Sequence, residues 1–402
     1  MKTNGKDTKL GVVPALRFPE YDNYWDINEL SKIANLIKER ARNGNYTPMS
    51  VTSGVGLVSQ KEKFGRDISG NQYSSYFVIR KGDFAYNKSA TNLYPEGYIS
   101  MLKKLEIAAV PNSIFTCFKV NRKEVLPEYL DYLFENNYHG KWLRKFIEVG
   151  ARAHGSLSID TKKLFELPIV FPSINEQQKI ADCLSSIDAL IKATENKIDE
   201  LKAHKKGLMQ QLFPAEEKTV PILRFPEFQN AGEWKQTTIG AICTISNGKS
   251  NVQDNVQNGK YPLFDRSEII KASNKFLFDC EAIIIPGEGR FIPKYYIGKF
   301  DLHQRAYALK DFTCHALFVY HYITAFSFIL TQKAVKSTVL SLRMPILEAF
   351  PLLLPNIQEQ QKIANCLSSV DDLITAQTNR LEALRNHKKG LMQQLFPNID
   401  EC

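Results

Sequence analysis

The segment Pro172–Pro214 reads PSINEQQKIADCLSSIDALIKATENKIDELKAHKKGLMQQLFP and returns at Pro355–Pro397 as PNIQEQQKIANCLSSVDDLITAQTNRLEALRNHKKGLMQQLFP. The two copies are identical at 29 of 43 positions and lie 183 residues apart. A repeat of this length is far longer than the roughly 20–50 residues of a solenoid unit. The duplication therefore indicates a chain made of two related halves with pseudo-two-fold symmetry.

Each copy has the apolar spacing of a long coiled-coil helix, with intervals of four and three residues and a polar residue at two heptad positions. Prolines bracket each helix, which is about 57 Å long at 1.5 Å per residue. Two such helices related by a two-fold axis must run antiparallel. Pairing between molecules, with the helices serving only as a dimerisation stalk, fits the heptads equally well. The predicted seam consists of Ile180, Leu184, Ile187, Ile191, Ile198, Leu201, Ile363, Leu367, Val370, Ile374, Leu381 and Leu384.

A second, shorter repeated motif, which we call the echo motif, lies at the start of the region before each helix. Pro14–Glu20 (PALRFPE) matches Pro221–Glu227 (PILRFPE) at an offset of 207, and Trp25 and Trp234 follow. Because this offset differs from 183, the regions that follow the echo are not copies of each other. The predicted organisation is an N-terminal extension at 1–15, a first variable domain at 16–171, a helix at 172–214, a second variable domain at 215–354, and a second helix with the C-terminal tail at 355–402.

Both variable domains combine helix and strand signals, so the predicted fold class is α/β in the mixed α+β sense. It has two globular domains separated by two long antiparallel helices. In the first domain, Asp26–Glu29 resembles a capping box before a helix, and Pro127 opens an aromatic-rich helix. In the second, residues 282–285 predict an apolar strand and residues 315–330 a buried helix.

Charge is distributed unevenly along a chain of 402 residues with a formal net charge of +9. It is +7 over residues 1–170 and +5 over 218–354, against −2 over 171–217 and −1 over 355–402. This partition predicts that the variable domains hold a polyanion and that the helices act as a spacer, although lysines on solvated faces explain the charge equally well. The polar N-terminus, the lack of a membrane-length apolar run and seven scattered cysteines predict a cytoplasmic protein.

Basic, aromatic and small polar residues on loops of the variable domains are the candidates for contacts with nucleic acid. Arg and Lys suit guanine edges or phosphate, and Asn or Gln suits adenine. The candidate DNA-binding residues are Lys61, Lys63, Arg66, Lys88, Ser89, Arg152, His154, Lys249, Arg266, Arg290, Lys294, Tyr295, His303 and Arg305. For any single one, a solvated surface position or a structural hydrogen bond is at least as good an explanation.

Two glycine-containing loops and the histidines are the candidates for a catalytic or cofactor site, and none has a complete motif. The stretch Asn247–Ser250 resembles the end of a phosphate loop, but Cys243 stands where that loop requires glycine. The loop Pro286–Arg290 has only two glycines of the dinucleotide-binding pattern, and the histidines form no metal-ligand pair at helical spacing. The prediction is therefore a chain with no catalytic site, no metal and no cofactor of its own.

The paired segments Glu176–Ala181 and Glu359–Ala364, the paired tails His204–Phe213 and His387–Phe396, and the order variable, repeat, variable, repeat resemble the specificity subunit of type I restriction–modification enzymes. The resemblance covers the chain from about Leu16 onward. It implies a non-catalytic reader in which each variable domain, a target recognition domain, binds one half of a split DNA site and the helices set the gap.

The resemblance also implies a complex. Two modification subunits, which bind S-adenosylmethionine and methylate adenine, would dock on the scaffold, and two restriction subunits would use ATP and Mg²⁺ to translocate and cut DNA. The predicted partner-facing or scaffold residues are Glu176, Gln177, Gln178, His204, Glu359, Gln360, Gln361 and His387. The alternatives are a coiled-coil adaptor with two protein-binding heads and no DNA affinity, and a solitary enzyme with an unrecognised motif.

Overall fold

The computed structural model describes residues 13–89, 91, 93–146, 161–336 and 339–398. Contacts divide the chain into two units: unit 1 comprises Met1–Ala193 with Leu381–Cys402, and unit 2 comprises Thr194–Arg380. We call the part of unit 1 up to residue 171 the first head and residues 215–354 of unit 2 the second head. Each unit thus contains one head and a portion of both repeated segments.

The first head consists of short strands and helices. Its elements are β1 (Asp26–Glu29), α1 (Leu30–Ile33), β2 (Ala34–Leu36), β3 (Met49–Thr52), β4 (Gly56–Ser59), α2 (Gln60–Phe64), β5 (Phe77–Arg80), β6 (Phe84–Asn87), β7 (Tyr98–Met101), β8 (Ile107–Val110), β9 (Phe115–Val120), α3 (Pro127–Glu135), α4 (Tyr138–Leu143), α5 (Thr161–Phe165) and β10 (Pro168–Phe171). Four strands form a sheet in the order β2-β9-β6-β7, while β3 pairs with β4, β5 with β8 and β1 with β10. All of these pairings are antiparallel.

Aromatic side chains form the centre of the first head. Phe84 of β6 stacks on Phe118 of β9, with ring centroids 5.2 Å apart, and Phe134 of α3 meets Phe84 edge-on at 5.5 Å. Trp25 is buried and lies edge-on to Tyr129, also on α3, at 6.3 Å. The aromatic residues after Pro127 therefore belong to the core, and α3 is buried over most of its surface, since residues 129–134 are all buried.

The first repeated segment is one long helix, α6 (Ile174–Leu212), of 39 residues. It begins in unit 1 and ends in unit 2. The second head follows, and its elements are β11 (Lys235–Thr238), α7 (Ile239–Ile242), β12 (Thr244–Asn247), β13 (Tyr261–Phe264), β14 (Lys271–Ser273), β15 (Phe278–Pro286), β16 (Lys294–Leu302), β17 (Ala306–Lys310), α8 (Ala316–Ala325), α9 (Ser327–Lys333), α10 (Met344–Glu348) and β18 (Pro351–Leu354).

The sheet of the second head runs in the order β12-β17-β15-β16-β13-β14, and β11 pairs separately with β18. Its strand β15 is buried on both faces, since Ile283 and Ile285 join the core beneath α8 while Ala282 and Ile284 join a second cluster. This alternation follows from the two-residue period of a strand and explains the continuous apolar run 282–285.

The second repeated segment forms α11 (Ile357–Leu395), again of 39 residues. In unit 1, Ile180 near the start of α6 lies in one core cluster with Leu395 at the end of α11, and Asp188 further along α6 pairs with Lys388. In unit 2, Lys205 of α6 pairs with Asp371 of α11. The two helices therefore run antiparallel within each unit.

The mixed α and β class and the two long helices predicted from the sequence are confirmed. Of the predicted seam residues, Ile180, Leu184, Ile187, Ile198, Ile363, Leu367 and Val370 are buried, and Ile191, Leu201, Ile374, Leu381 and Leu384 are partly buried. None of the described helices is both long and apolar enough to cross a membrane.

The local prediction for the start of the first head is wrong. Asp26–Glu29 is not a helix cap but strand β1, paired in register with Pro168–Phe171, and the helix after it has only four residues. The aromatic helix after Pro127 is divided at Asn136 and Asn137, where Asn137 adopts a left-handed conformation with φ 56°. Pairing with a distant strand overrides the local helical pattern in the first case, and asparagine tolerates positive φ in the second.

Candidate nucleic-acid interface

A buried ion pair fixes each head to the beginning of a long helix. Arg17 donates from Nε and Nη2 to the two carboxylate oxygens of Glu176 at 2.7 and 2.8 Å. Arg224 makes the same bidentate contact with Glu359 at 2.8 and 2.7 Å. Both carboxylates are fully buried, and in both cases the ion pair raises the pKa of the arginine. We call this pair of contacts the arginine clamp.

The rest of the echo motif strengthens the clamp in the same way in both units. The last residue of the echo motif is a glutamate, and it pairs with the lysine that lies three residues after the glutamate of the clamp. The same lysine lies over the ring of the phenylalanine in the echo motif. The residues involved are Glu20, Lys179 and Phe18 in unit 1, and Glu227, Lys362 and Phe225 in unit 2. The two sequence echoes, at offsets of 207 and 183, are therefore the two sides of one interface.

The predicted partner-facing residues divide into two groups. Glu176, Gln177, Glu359 and Gln360 are buried and hold the head. The Gln177 amide accepts from the Leu126 N–H at 2.8 Å and donates to the Pro172 carbonyl at 2.8 Å. Gln360 does the same with the His315 N–H at 3.0 Å and the Pro355 carbonyl at 2.8 Å. The exposed group consists of Gln178, His204, Gln361 and His387.

The tail of each long helix inserts into the head of the unit in which it ends. Phe213, at the end of the first repeat, lies against Phe318 and Tyr322 with centroids at 5.6 and 5.2 Å. Phe396, at the equivalent position of the second repeat, lies 5.4 Å from Tyr129. Each head is therefore attached at two places, to the start of one long helix and to the end of the other.

Lysines at the polar heptad positions make ion pairs next to these tails. Lys205 binds Asp371 at 2.6 Å. Its counterpart Lys388, which is nearly buried, binds both Asp188 and Glu135 at 2.7 Å. The described contacts of Lys388 thus involve two carboxylates, Asp188 and Glu135, whereas that of Lys205 involves Asp371.

A groove in the first head, of about 520 Å³, carries a concentration of positive charge. Lys38, Arg40 and Lys88 contribute cations to its lining, and its described lining residues include no carboxylate. Arg40 is held by the Ser75 carbonyl at 2.7 Å and stacks over the Phe77 ring at 4.2 Å. Such a surface suits the phosphate backbone of a nucleic acid.

A groove in the second head, of about 470 Å³, has balanced charge. Arg305 and Arg266 converge on one carboxylate, Glu288, at 2.5 and 3.6 Å. Beside them, Gln304 Nε2 donates to Asn251 Oδ1 at 2.6 Å. This groove brings together three of the predicted DNA-binding residues, namely Arg266, His303 and Arg305.

Of the other predicted DNA-binding residues, Lys88 lines the groove of the first head, and the rest are scattered. Lys61, Arg66 and Lys249 are exposed, and Lys88 and Ser89 are partly buried. Arg290, also exposed, lies 3.5 Å from Glu268. Arg152 and His154 lie outside the described residues.

Three of the predicted residues have structural roles within their heads. Lys63 donates to Ser50 Oγ and to the Val51 carbonyl, both at 3.1 Å, and burial lowers its pKa. Lys294 donates to the Ser267 carbonyl at 2.5 Å, and Tyr295 donates to the Glu281 carboxylate. Their donors are therefore directed at neighbouring protein groups.

Sequence reasoning missed Lys38 and Arg40 in the first groove, and Asn251 and Glu288 in the second. Lys38 and Arg40 lie two residues apart after β2, whereas Asn251 and Glu288 come from separate loops, and no recognisable motif marks either pair. Among the described residues, no group of three or more His, Cys, Asp or Glu side chains is placed to hold a metal ion.

Comparison with known proteins identifies the family. The sequence profile of the type I restriction modification DNA specificity domain matches residues 25–203 and 231–386. The chain belongs to this family. The two matched stretches correspond to the two heads with their helices, so the family's domain occurs twice in one chain.

Individual relatives agree with this assignment. The chain is 29% identical over 166 residues to the type I restriction enzyme EcoDI specificity subunit of Escherichia coli, a match that covers 41% of this chain and 37% of that protein. It is 26% identical over 331 residues to the type I restriction enzyme MjaVIII specificity subunit of Methanocaldococcus jannaschii, covering 70% and 72%. The fold is similar to that of the type I restriction–modification S subunit of M. genitalium, with a TM-score of 0.62, 16% identity and coverage of 96% and 99%.

Membership of the specificity family decides between the readings that the sequence left open. The chain is a specificity subunit of the type I restriction–modification class, and such subunits recognise DNA. The coiled-coil adaptor without DNA affinity is not supported.

Proposed function

We propose that this chain recognises a bipartite DNA site, with the first head binding one half and the second head the other. The long helices set the spacing between the half-sites. The chain contributes no catalytic group and acts in the cytoplasm. Two modification subunits with S-adenosylmethionine, and two restriction subunits with ATP and Mg²⁺, supply methylation of adenine and cleavage.

The observation that carries the proposal is the double attachment of each head to the long helices. The arginine clamps Arg17–Glu176 and Arg224–Glu359 hold one side of each head, and the tail residues Phe396 and Phe213 hold the other. A head fixed at two points has a defined orientation on its helices. Reading a half-site at a set position requires such an attachment, because a head on a flexible linker would accept many gap lengths.

The charge of the heads supports DNA as the ligand. The heads are positive and the repeated segments slightly negative, and the groove with Lys38, Arg40 and Lys88 concentrates cations at one place. DNA binding by such surfaces is dominated by phosphate contacts and weakens with salt.

The exposed repeated residues support two copies of one partner. Gln178 and His204 recur as Gln361 and His387, so each half offers the same side chains at the same helical positions. Two equivalent surfaces fit two identical modification subunits.

The test measures binding of the complex of this chain with its modification subunits to labelled duplexes. The duplexes carry the two half-sites at gap lengths that differ by single base pairs. We expect one preferred gap, and an affinity that falls roughly a thousand-fold between about 50 and 200 mM salt if about six phosphates are contacted. Exchange of residues 16–171 for the corresponding domain of another family member should change one half-site only.

Equal affinity for gaps that differ by several base pairs would contradict the spacer role of the helices. A simultaneous change of both half-sites after the domain exchange would contradict independent heads. An affinity for DNA that does not depend on salt concentration would contradict binding of the DNA phosphates by the cations of the heads.

A further inference from the structure

The groove of the second head differs from that of the first in a way that bears on what each contacts. Its lining contains two guanidinium groups, Arg266 and Arg305, and two carboxylates, Asp265 and Glu288. Lys271, beside the lining, binds Asp265 at 2.6 Å and adds one charge. The groove of the first head has three cations and no carboxylate among its described lining residues.

With Lys271 the groups of the second groove carry a net charge of +1, against +3 in the first groove. A phosphate therefore gains less here than in the first groove, because the carboxylates repel the same anion that the arginines attract. The second groove is suited to neutral groups that form directional hydrogen bonds. The edges of DNA base pairs are groups of this kind, with fixed patterns of donors and acceptors in the major groove.

Glu288 holds Arg305 in one orientation and leaves part of its guanidinium available. The contact uses Nη1 of Arg305 at 2.5 Å, while the side chain remains 64% exposed. The Nε–Nη2 edge keeps the parallel pair of N–H donors that matches O6 and N7 of guanine. An arginine held by a carboxylate also loses less conformational entropy when it binds.

Gln304 is held in a comparable way. Its Nε2 donates to Asn251 Oδ1 at 2.6 Å, which leaves one N–H and the Oε1 acceptor. A donor beside an acceptor is the pattern that pairs with N7 and N6 of adenine. His303 lies next to Gln304 in the lining, and burial lowers its pKa, so it adds no charge near neutral pH.

The backbone beneath these side chains is fixed by close packing. A Cβ at Gly248 would lie 2.2 Å from the Leu302 carbonyl oxygen, so glycine is required where the two segments meet. Ser250 is buried and donates to the buried carboxylate of Asp301 at 2.8 Å, and its carbonyl accepts from the Gln304 N–H at 2.8 Å. The loop Asn247–Ser250, which resembles part of a phosphate loop, thus serves to place Asn251 beside Gln304.

We propose that this groove is the base-reading site of the second head, with Arg305 reading guanine and Gln304 reading adenine in one half-site. The inference rests on the proposed function and assigns part of it to particular residues. Contacts with phosphate are left to cations outside the groove, such as the exposed Lys249.

The experiment selects bound duplexes from a library randomised in both half-sites, using the complex of this chain with its modification subunits. The variants are Arg305→Lys and Gln304→Ala. The lysine keeps the charge and can keep the contact with Glu288, but it cannot present two parallel N–H groups. The matched control is Lys299→Met, which removes a cation of the same head that lies outside the groove and 3.9 Å from Asp279.

We expect Arg305→Lys to lose about ten-fold of the preference for guanine at one position of one half-site, with the other half-site and the salt dependence unchanged. Gln304→Ala should lose a preference for adenine in the same half-site. Lys299→Met should keep every base preference. Lys249→Met should weaken binding to all sequences alike and reduce the salt slope by about 0.9.

Unchanged base preferences in Arg305→Lys and Gln304→Ala would overturn the inference while leaving the bipartite reader intact. Weakening of all sequences alike by either variant, with a smaller salt slope, would assign these residues to phosphate and also overturn it. A wild-type complex that selects no sequence would instead overturn the proposed function. Circular dichroism of the variants, whose substitutions are at exposed side chains, checks that the fold is retained.

Discussion

Removing one partner of the arginine clamp should destabilise unit 2 strongly. In Arg224→Met, the carboxylate of Glu359 stays fully buried but loses both guanidinium donors. Breaking a buried pair in this way costs about 3–5 kcal/mol, because the remaining charge is desolvated without compensation. Arg224 keeps a small exposed fraction, 8% of its side chain, so we take the lower end, about 3 kcal/mol.

This free energy predicts a measurable change in the thermal midpoint. A unit of this size shifts by about 2–4 °C for each kcal/mol, so Arg224→Met should lower the midpoint of unit 2 by about 6–12 °C. Replacing both partners, as Arg224→Met with Glu359→Leu, removes the buried charge as well and should cost less than about 1 kcal/mol. The pairwise coupling in the double-mutant cycle is then about 2 kcal/mol or more.

Differential scanning calorimetry measures the midpoints, and hydrogen exchange followed peptide by peptide assigns the loss to a unit. The matched variant Arg17→Met should produce the same effect in unit 1. Arg290→Met, in which both partners are mostly exposed, should change stability by less than about 0.5 kcal/mol. A double variant as unstable as Arg224→Met alone would refute the reasoning, since the loss would then not come from an uncompensated buried carboxylate.

Two further predictions concern the packing of the long helices on the heads. Burial lowers the pKa of His321 to about 3, so only the unfolded state gains its proton below about pH 6.5, and the stability of unit 2 should fall by about 2 kcal/mol by pH 5 in urea unfolding. His321→Phe should remove this loss, whereas substitution of the exposed His387 should not; an unchanged acid profile in His321→Phe would contradict a neutral buried histidine. Phe396→Ala empties a buried site against Tyr129 and should destabilise unit 1 by about 3–5 kcal/mol in calorimetry, and a wild-type midpoint would contradict insertion of the tail into the core.

The long helices were predictable because their signals are local and doubled. Heptad spacing, bracketing prolines and a second copy all pointed to the same two elements, and α6 and α11 span 39 residues each as the repeat suggests. Antiparallel pairing followed from symmetry alone. The heads were less predictable, since β1 depends on a partner strand that begins at Pro168, and no pattern within Asp26–Glu29 indicates that partner.

The echo motif shows a different limit of sequence reasoning. Its repetition was visible, but its role was not, because Arg17 meets Glu176 across 159 residues and Arg224 meets Glu359 across 135. A polar residue in a repeated motif is as compatible with a partner surface as with an internal ion pair. Only burial distinguishes the two, and burial assigns these residues to the interior.

The proposed base-reading groove could not be predicted from the net charge of each head. The two heads have similar net positive charge in sequence, which predicts that both bind a polyanion in the same way. In the folded second head, Glu288 offsets positive charge beside Arg305, and Asn251 accepts from Gln304. Neither contact can be read from the charge totals, because the partners come from different loops.

In both heads, the residues that attach the head to the long helices are different from the residues that line its groove. Within each head, the contacts with the long helices use the same few elements: the echo motif, and one face of α3 or α8. The clamp and tail contacts are equivalent in the two units, although the grooves differ in charge, from three cations in the lining of one to two cations and two carboxylates in the lining of the other. Since the groove residues make none of the clamp contacts, substitutions in the groove can alter recognition at little cost to attachment. If each head reads one half-site, as we propose, we expect each half-site preference to change independently while the helices and the attachment of the heads stay the same.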